Sequence, residues 1–255
     1  MSQALIRARN GLESFQKYVP ADLVRELVRT KQSAKLGGTT AELTILFSDI
    51  EGFTGISEKL SADDLMQHLS EYLEGLSKEI LAQHGTIDKY IGDAIMAFWG
   101  APAPQDDAPE RACEAALRCA ACVDRLNSVW RTHGRPEMNT RFGIHTGEVV
   151  VGNLGSSERM NYSVIGDNVN LASRLEGVNK FYGTRILISE STYLKVKDHF
   201  HFRLVDKVAV KGRDHGVRIF ELLARIGTPL AEPVARFCDA YESALETYWA
   251  RDWPS

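Results

Sequence analysis

Between residues 43 and 145 the chain alternates short β-branched runs with long amphipathic stripes, and the order of these segments limits the fold more than any other feature. Leu43–Phe47 is a short apolar run ending in Ser48-Asp49 and predicts a strand. Ser61-x-x-Asp64 opens a helix, and Leu65, Leu69, Tyr72, Leu73, Leu76 and Ile80 make its apolar stripe up to Gly85. Thr86–Ile91 and Ala94–Trp99 are separated by Gly92-Asp93 alone, which predicts a hairpin. A second long helix covers Asp107–His133, and Thr140–His145 is a fourth strand. Strand, helix, strand, strand, helix, strand is the split βαβ plan, so the expected fold is α/β (α+β) with a ferredoxin-like βαββαβ core. A C-terminal extension follows: strands near Val149–Val151 and Tyr162–Ile165, a helix over Asn168–Tyr182, a strand over Arg185–Ser189 and a hairpin through Phe202–Leu222.

The flanks read differently. Residues 1–36 suggest helix with a break at Pro20, and Gly37-Gly38-Thr39-Thr40 is a linker signal taken as a boundary. Ala235–Trp253 forms one more amphipathic stripe. The expected organisation is an N-terminal helical element over 1–40, a body over 41–226 and a helical extension over 227–255.

Asp49 stands at the end of the first strand and Asp93 at the tip of the adjoining hairpin. In a ferredoxin-like sheet the first and third strands are neighbours, so the two carboxylates can meet. Facing carboxylates without a cationic partner repel unless a cation lies between them, and hard oxygen ligands select Mg²⁺ or Mn²⁺. Either residue alone would be read as capping local backbone; the pair predicts a metal site. Ile50-Glu51-Gly52-Phe53-Thr54-Gly55 then runs toward a helix, where backbone N–H groups can cradle phosphate. Asn170 and Arg174 share one helix face, suited to a polyanion, although Arg174 could equally pair with Glu176. Asp167 reads as a helix N-cap.

Composition closes several other routes. The net charge of −4 supplies no basic field for nucleic acid or an anionic membrane. No apolar run reaches the ~18–20 residues of a membrane helix, so the expected location is the cytoplasm, alone or as part of a larger protein. No G-x-x-x-x-G-K-[ST] or G-x-G-x-x-G motif occurs. Cys119-x-x-Cys122 matches a redox spacing, but without a second pair it reads as buried thiols in a helix.

Five blocks occur in order: F-S-D-I-E-G-F-T, D-K-Y-I-G-D-A-I-M-A-F-W-G, R-F-G-I-H-T-G, Y-S-V-I-G-D-N-V-N-L-A-S-R-L-E and V-K-G-R. Together, over residues 41–224, they resemble the catalytic domain of class III nucleotidyl cyclases of the bacterial adenylate cyclase type. The resemblance implies conversion of ATP to 3′,5′-cyclic AMP and pyrophosphate with two divalent cations, Mg²⁺ or Mn²⁺. It implies that Asp49, Asp93 and the Ile50 carbonyl hold the metals, and that Gly52, Phe53, Thr54, Arg141 and Lys211 contact the phosphates. Lys89 and Ser163, with Val164 beside them, would read the purine; Asn170 would orient the ribose and Arg174 stabilise the transition state.

Lys89 can donate to adenine N1 but offers nothing to the N1–H of guanine, and the Ser163 hydroxyl can accept from the adenine amino group. Many adenylate-forming relatives carry Asp or Thr where Ser163 stands, so weaker discrimination against GTP is expected. The resemblance also implies a homodimer whose sites are shared across the interface, with an upstream sensor outside the chain, joined through an element like Phe15–Val28. Three alternatives remain: a guanylate or dual-specificity cyclase, an inactive cyclase-like interaction domain, and a diguanylate cyclase, whose G-G-[DE]-E-F signature is absent.

Overall fold

The structure is a computed structural model and describes residues 35–208 and 216–250. The helical element expected over 1–36, Lys211 with its V-K-G-R block, and the end of the C-terminal stripe lie wholly or almost wholly outside these residues.

One sheet organises the chain. Its core is β1 (Gly37–Ile50), β2 (Thr86–Ile91), β3 (Ala94–Trp99) and β4 (Thr140–Gly155), in the spatial order β2-β3-β1-β4. β1 runs antiparallel to both β3 and β4. Helices α2 (Ala62–Ala82) and α3 (Ala108–Thr132) supply the two crossings, which completes the expected βαββαβ plan. The sheet continues through β6 (Ile186–Ser189), β8 (Val217–Arg225) and β7 (Phe200–Val208), while β5 (Met160–Ile165) pairs with the far end of β4.

Burial follows strand alternation. Leu46 and Ile50 of β1 and Ile95, Ala97 and Trp99 of β3 pack with α2 and α3. Leu43 and Ile45 of β1 and Met96 and Phe98 of β3 form a second core with β5 and α4 (Asp167–Tyr182). Because β1 is covered on both faces, its sequence reads as a continuous apolar run rather than an alternating one. Each large side chain so buried contributes about 1.5–3 kcal/mol before entropy is counted. The α2–α3 contact is close: a Cβ on Gly75 would lie 3.0 Å from Cys122 Sγ. All four cysteines are buried and unpaired, as expected, and burial pushes the Cys113 and Cys119 thiols up.

Several boundaries depart from expectation. Gly37–Thr40, read as a linker, is β1 itself, paired with Val150–Asn153. Thr140–His145 and Val149–Val151 are one strand. Helix α5 (Glu190–Val196), capped by Ser189 accepting from the Thr192 amide, was not expected. Asp167 is the first residue of α4, and Gly166, at φ 147°, holds the N-cap position without a side-chain cap. Ser61 does cap α2, accepting from the Asp64 amide at 3.2 Å.

Helix α6 (Glu232–Ala250) closes the far edge of the sheet. Glu242 accepts from the Leu204 amide at 2.6 Å and the Tyr241 hydroxyl donates to the Val205 carbonyl at 2.9 Å. The helix thereby satisfies groups on β7 that a bare edge would leave open to another strand.

Candidate active site

Two polar groups occupy the positions singled out in the sequence. The first sits at the end of β1. Gly92, at φ 65°, turns the β2–β3 hairpin so that Asp93 reaches back, and its Oδ2 accepts from the Ile50 amide at 3.2 Å. The antiparallel register places Arg141 opposite Asp49. The Arg141 guanidinium lies 3.6 Å from Asp49, 3.5 Å from Glu51 and 3.1 Å from Glu176. Asp49 and Asp93 therefore do not stand without a cation nearby, as the sequence suggested: one guanidinium lies beside three acids, Asp49, Glu51 and Glu176, and Asp93 adds a fourth negative charge next to Asp49. That is not enough positive charge. Burial, then Asp93, pushes the Asp49 carboxyl up, against the opposing pull of Arg141. Burial, then Asp49, pushes Glu176 up likewise.

This surplus of oxygen donors and negative charge fits a divalent cation. The described residues contain no group of three or more His, Cys, Asp or Glu placed to hold a metal. Two carboxylates and the Ile50 carbonyl would leave coordination positions to water and to substrate phosphate, the usual habit of Mg²⁺. Next to them, Gly52 takes φ 64° at the entry of the one-turn helix α1 (Phe53–Ser57), with Gly52 and Thr54 exposed. A Cβ at Gly52 would meet nothing within 4 Å, so the space above it is open.

The second group lies where β5 passes β2. Lys89 Nζ donates to Ser163 Oγ at 3.2 Å, and Ser163 donates to Asp88 Oδ2 at 2.5 Å. Val164 is buried beside them. Asp88 drew no attention in the sequence, where an acid next to a lysine looks like ordinary strand surface. Glu176 was considered only as a pairing partner for Arg174. It pairs with Arg141 instead.

Helix α4 carries Asn170 and Arg174 on its exposed face, four residues apart. No hydrogen bond or ion pair engages Arg174 among the described residues. The helix is seated by Gly143, where a Cβ would come within 2.2 Å of the Glu176 amide nitrogen and 2.4 Å of the Ala172 carbonyl oxygen. Its first turn is pinned by Asn168, which donates to the Glu148 carbonyl at 2.7 Å and accepts from His145 Nε2 at 2.9 Å.

Residues 38–224 match the model of the adenylate and guanylate cyclase catalytic domain. The chain belongs to that family. Adenylate cyclase 1 of Rhizobium meliloti is 41% identical over 226 residues, covering 88% of this chain and 34% of the relative. The chain thus spans about a third of that relative's length. The solved adenylyl cyclase CyaB of P. aeruginosa superposes with a TM-score of 0.68 at 39% identity, covering 74% of this chain and 96% of that structure. The guanylyl cyclase Cya2 gives 0.67 at 34% identity, with 78% and 97% covered. Cyclase domains of this family act on nucleotides and generally use divalent metals, and the guanylyl cyclase domain of the RhoGC fusion protein from Blastocladiella emersonii is dimeric in one solved structure. Among the described residues of this cyclase domain no helix is long and apolar enough to cross a membrane.

Proposed function

We propose that this cyclase domain converts ATP to 3′,5′-cyclic AMP and pyrophosphate, as a homodimer in which each site draws on both protomers. The observation that carries the reading is the Lys89–Ser163 hydrogen bond of 3.2 Å. It sets an ammonium donor beside a hydroxyl oxygen, the complement of adenine N1 and its 6-amino group. A guanylate cyclase would need an acceptor for the N1–H where Lys89 stands.

In the reaction the ribose 3′-hydroxyl gives up its proton to water, its oxygen bonds to the α-phosphorus, the bond from that phosphorus to the β-phosphate oxygen breaks, and pyrophosphate leaves. Two divalent cations on Asp49, Asp93 and the Ile50 carbonyl would supply Lewis-acid activation of the 3′-hydroxyl and neutralise phosphate charge. Arg174 donates to the α-phosphate oxygens as their charge changes, and Asn170 orients the ribose. Gly52, Phe53 and Thr54 line the triphosphate. Arg141 exchanges its carboxylate partners for terminal phosphate oxygens, which Lys211 also contacts. No side chain is assigned as a general base, in keeping with a transfer governed by positioning and charge.

The dimer reading is supported by apolar surface near the purine group. Tyr90 and Ile91 on β2, Val150 on β4 and Ile165 on β5 are all exposed. The chain holds both halves of the proposed site, as twofold symmetry requires.

The test is cyclic nucleotide formation by the purified protein from ATP and from GTP, with Mg²⁺ and with Mn²⁺, beside Asp49→Ala. Cyclic AMP from the parent and none from the variant is the expected result. Faster turnover of GTP than ATP would refute the substrate.

A further inference from the structure

Asp88 has no part in the reading above, yet its side chain is almost wholly buried. The pairing of β2 with β3 slips between Ile87 and Lys89, so Asp88 sits in a bulge. A bulge turns a side chain out of strand alternation. Here it brings Asp88 and Lys89 onto one partner: Lys89 Nζ is 3.3 Å from Asp88 Oδ1 and 3.2 Å from Ser163 Oγ. The Asp88 side chain is 1% exposed against 44% for Lys89. Its Oδ1 makes no hydrogen bond and faces the Lys89 charge alone. Burying a carboxylate with one oxygen unbonded is costly, which sets Asp88 apart from an ordinary surface acid.

A serine hydroxyl has one hydrogen and two lone pairs, so a free serine can serve the amino group of adenine or the keto oxygen of guanine equally well. Ser163 is not free in this sense. An ionised Asp88 can only accept, and it takes the Ser163 hydrogen at 2.5 Å. One lone pair of Ser163 then receives Lys89, and the other is left for the base.

The geometry points to Asp88 as a specificity-determining residue. By holding the Ser163 proton it makes Ser163 an acceptor only, matched to the 6-amino group of adenine and opposed to the 6-keto oxygen of guanine. This rests on the adenylate reading of Lys89 and Ser163. It also changes what Ser163 means, since a serine whose proton is already committed discriminates more sharply than a serine that can rotate.

The experiment compares kcat/KM for ATP and for GTP in the parent, Asp88→Asn, Ser163→Ala and the double variant. Asparagine keeps the shape of aspartate, but its amide can donate to Ser163 and release the hydroxyl hydrogen toward the base. The ATP-to-GTP ratio should fall about tenfold in Asp88→Asn, the worth of one misdirected buried hydrogen bond. General damage to the fold would lower both substrates and leave the ratio alone. In the Ser163→Ala background, Asp88→Asn should move the ratio by less than about twofold. An unchanged ratio in the single variant, or an equal shift with Ser163 absent, overturns the inference. Should Asp88→Asn not fold, Ser163→Ala decides, because a ratio unchanged on loss of the hydroxyl is equally fatal. A parent protein that favours GTP overturns the adenylate reading together with this one, so the two failures are told apart before any variant is made.

Discussion

At the end of β1 three carboxylates gather around one guanidinium with a fourth, Asp93, beside them, whereas between β2 and β5 one carboxylate meets one ammonium and one hydroxyl. The first group is left with excess negative charge, and two of its acids, Asp49 and Glu176, are pushed up by burial first and by neighbouring carboxylates second. The second is balanced within the chain. The difference matches what each group has to receive. A site for cations and a polyphosphate is completed by its ligands, so the free protein can hold it in a charge-frustrated state. A site that must tell an amino group from a keto oxygen works only if its donors and acceptors are fixed beforehand. The two groups share no hydrogen bond or ion pair among the described residues, which suits a site divided between protomers.

The strongest way to break the comparison is complementation. Asp49→Ala and Arg174→Ala should each lower cyclic AMP formation by about a thousandfold. Mixed in equal amounts, they give half heterodimers, each with one intact site of two, so activity should return to about a quarter of the parent's. No recovery in a mixture that demonstrably dimerises would mean that Asp49 and Arg174 act within one chain.

Gly143→Ala separates the groups structurally. The added Cβ would meet the backbone of α4 at 2.2 Å, and neither side is a flexible chain end. Helix α4 must move away, taking Glu176, Asn170 and Arg174 with it, while the Lys89–Ser163 contact on β2 and β5 is not directly touched. A loss of 3 kcal/mol or more, at roughly the upper end for single substitutions, is expected in urea unfolding. A loss under about 1 kcal/mol would show that α4 is not seated as described.

Arg141→Ala tests the charge surplus. It removes the only guanidinium from the first group and should cost about 2 kcal/mol at neutral pH without added metal, less than a fully buried pair because Glu51 is exposed. Adding Glu176→Gln should recover part of the loss, since it removes one of the acids left behind. Additive losses would mean that Arg141 contributes packing rather than charge.

The sequence carried the first group better than the second, for a physical reason. Asp49 and Asp93 stand at a strand end and a hairpin tip, positions that chain topology alone brings together. Asp88 needs a bulge, and nothing in T-I-D-K-Y-I announces one, because the slip is set by how β2 meets β3. Gly37–Thr40 misled in the same way: two glycines read as a linker, yet Gly38 lies so close to β4 that a Cβ would come within 2.8 Å of Val150 Cγ1. The short α5 has no long apolar period to announce it. The proposed roles of Ile50 and Val164 rest on the motif alone, and those of Gly52, Phe53 and Thr54 on the motif together with their place at a helix entry.

A third polar group, on α2, gives the smallest effect and tests whether fixed hydrogen-bond partners set which atom carries a proton, as Asp88 is inferred to do for Ser163. His68 is 1% exposed. Its Nε2 donates to the Pro136 carbonyl at 2.8 Å, so Nδ1 must accept from Arg135 at 2.6 Å. A proton on Nδ1 would point at a guanidinium. Burial is the main cause holding the His68 pKa below its ordinary 6.5, and Arg135 adds to it, against the Pro136 bond and Glu71. The folded protein therefore takes up this proton at lower pH than the unfolded chain, which does so as pH falls through about 6.5. Stability from this group is complete above that value and is lost, by up to about 1.4 kcal/mol per pH unit, as pH falls from there toward the lowered folded-state value. His68→Gln can donate to Pro136 and accept from Arg135 without titrating. The parent should lose about 1–2 kcal/mol more than this variant between pH 7.5 and pH 5 in urea unfolding. Parallel curves for the two proteins would show that His68 is protonated in the folded state and that Arg135 does not fix its tautomer.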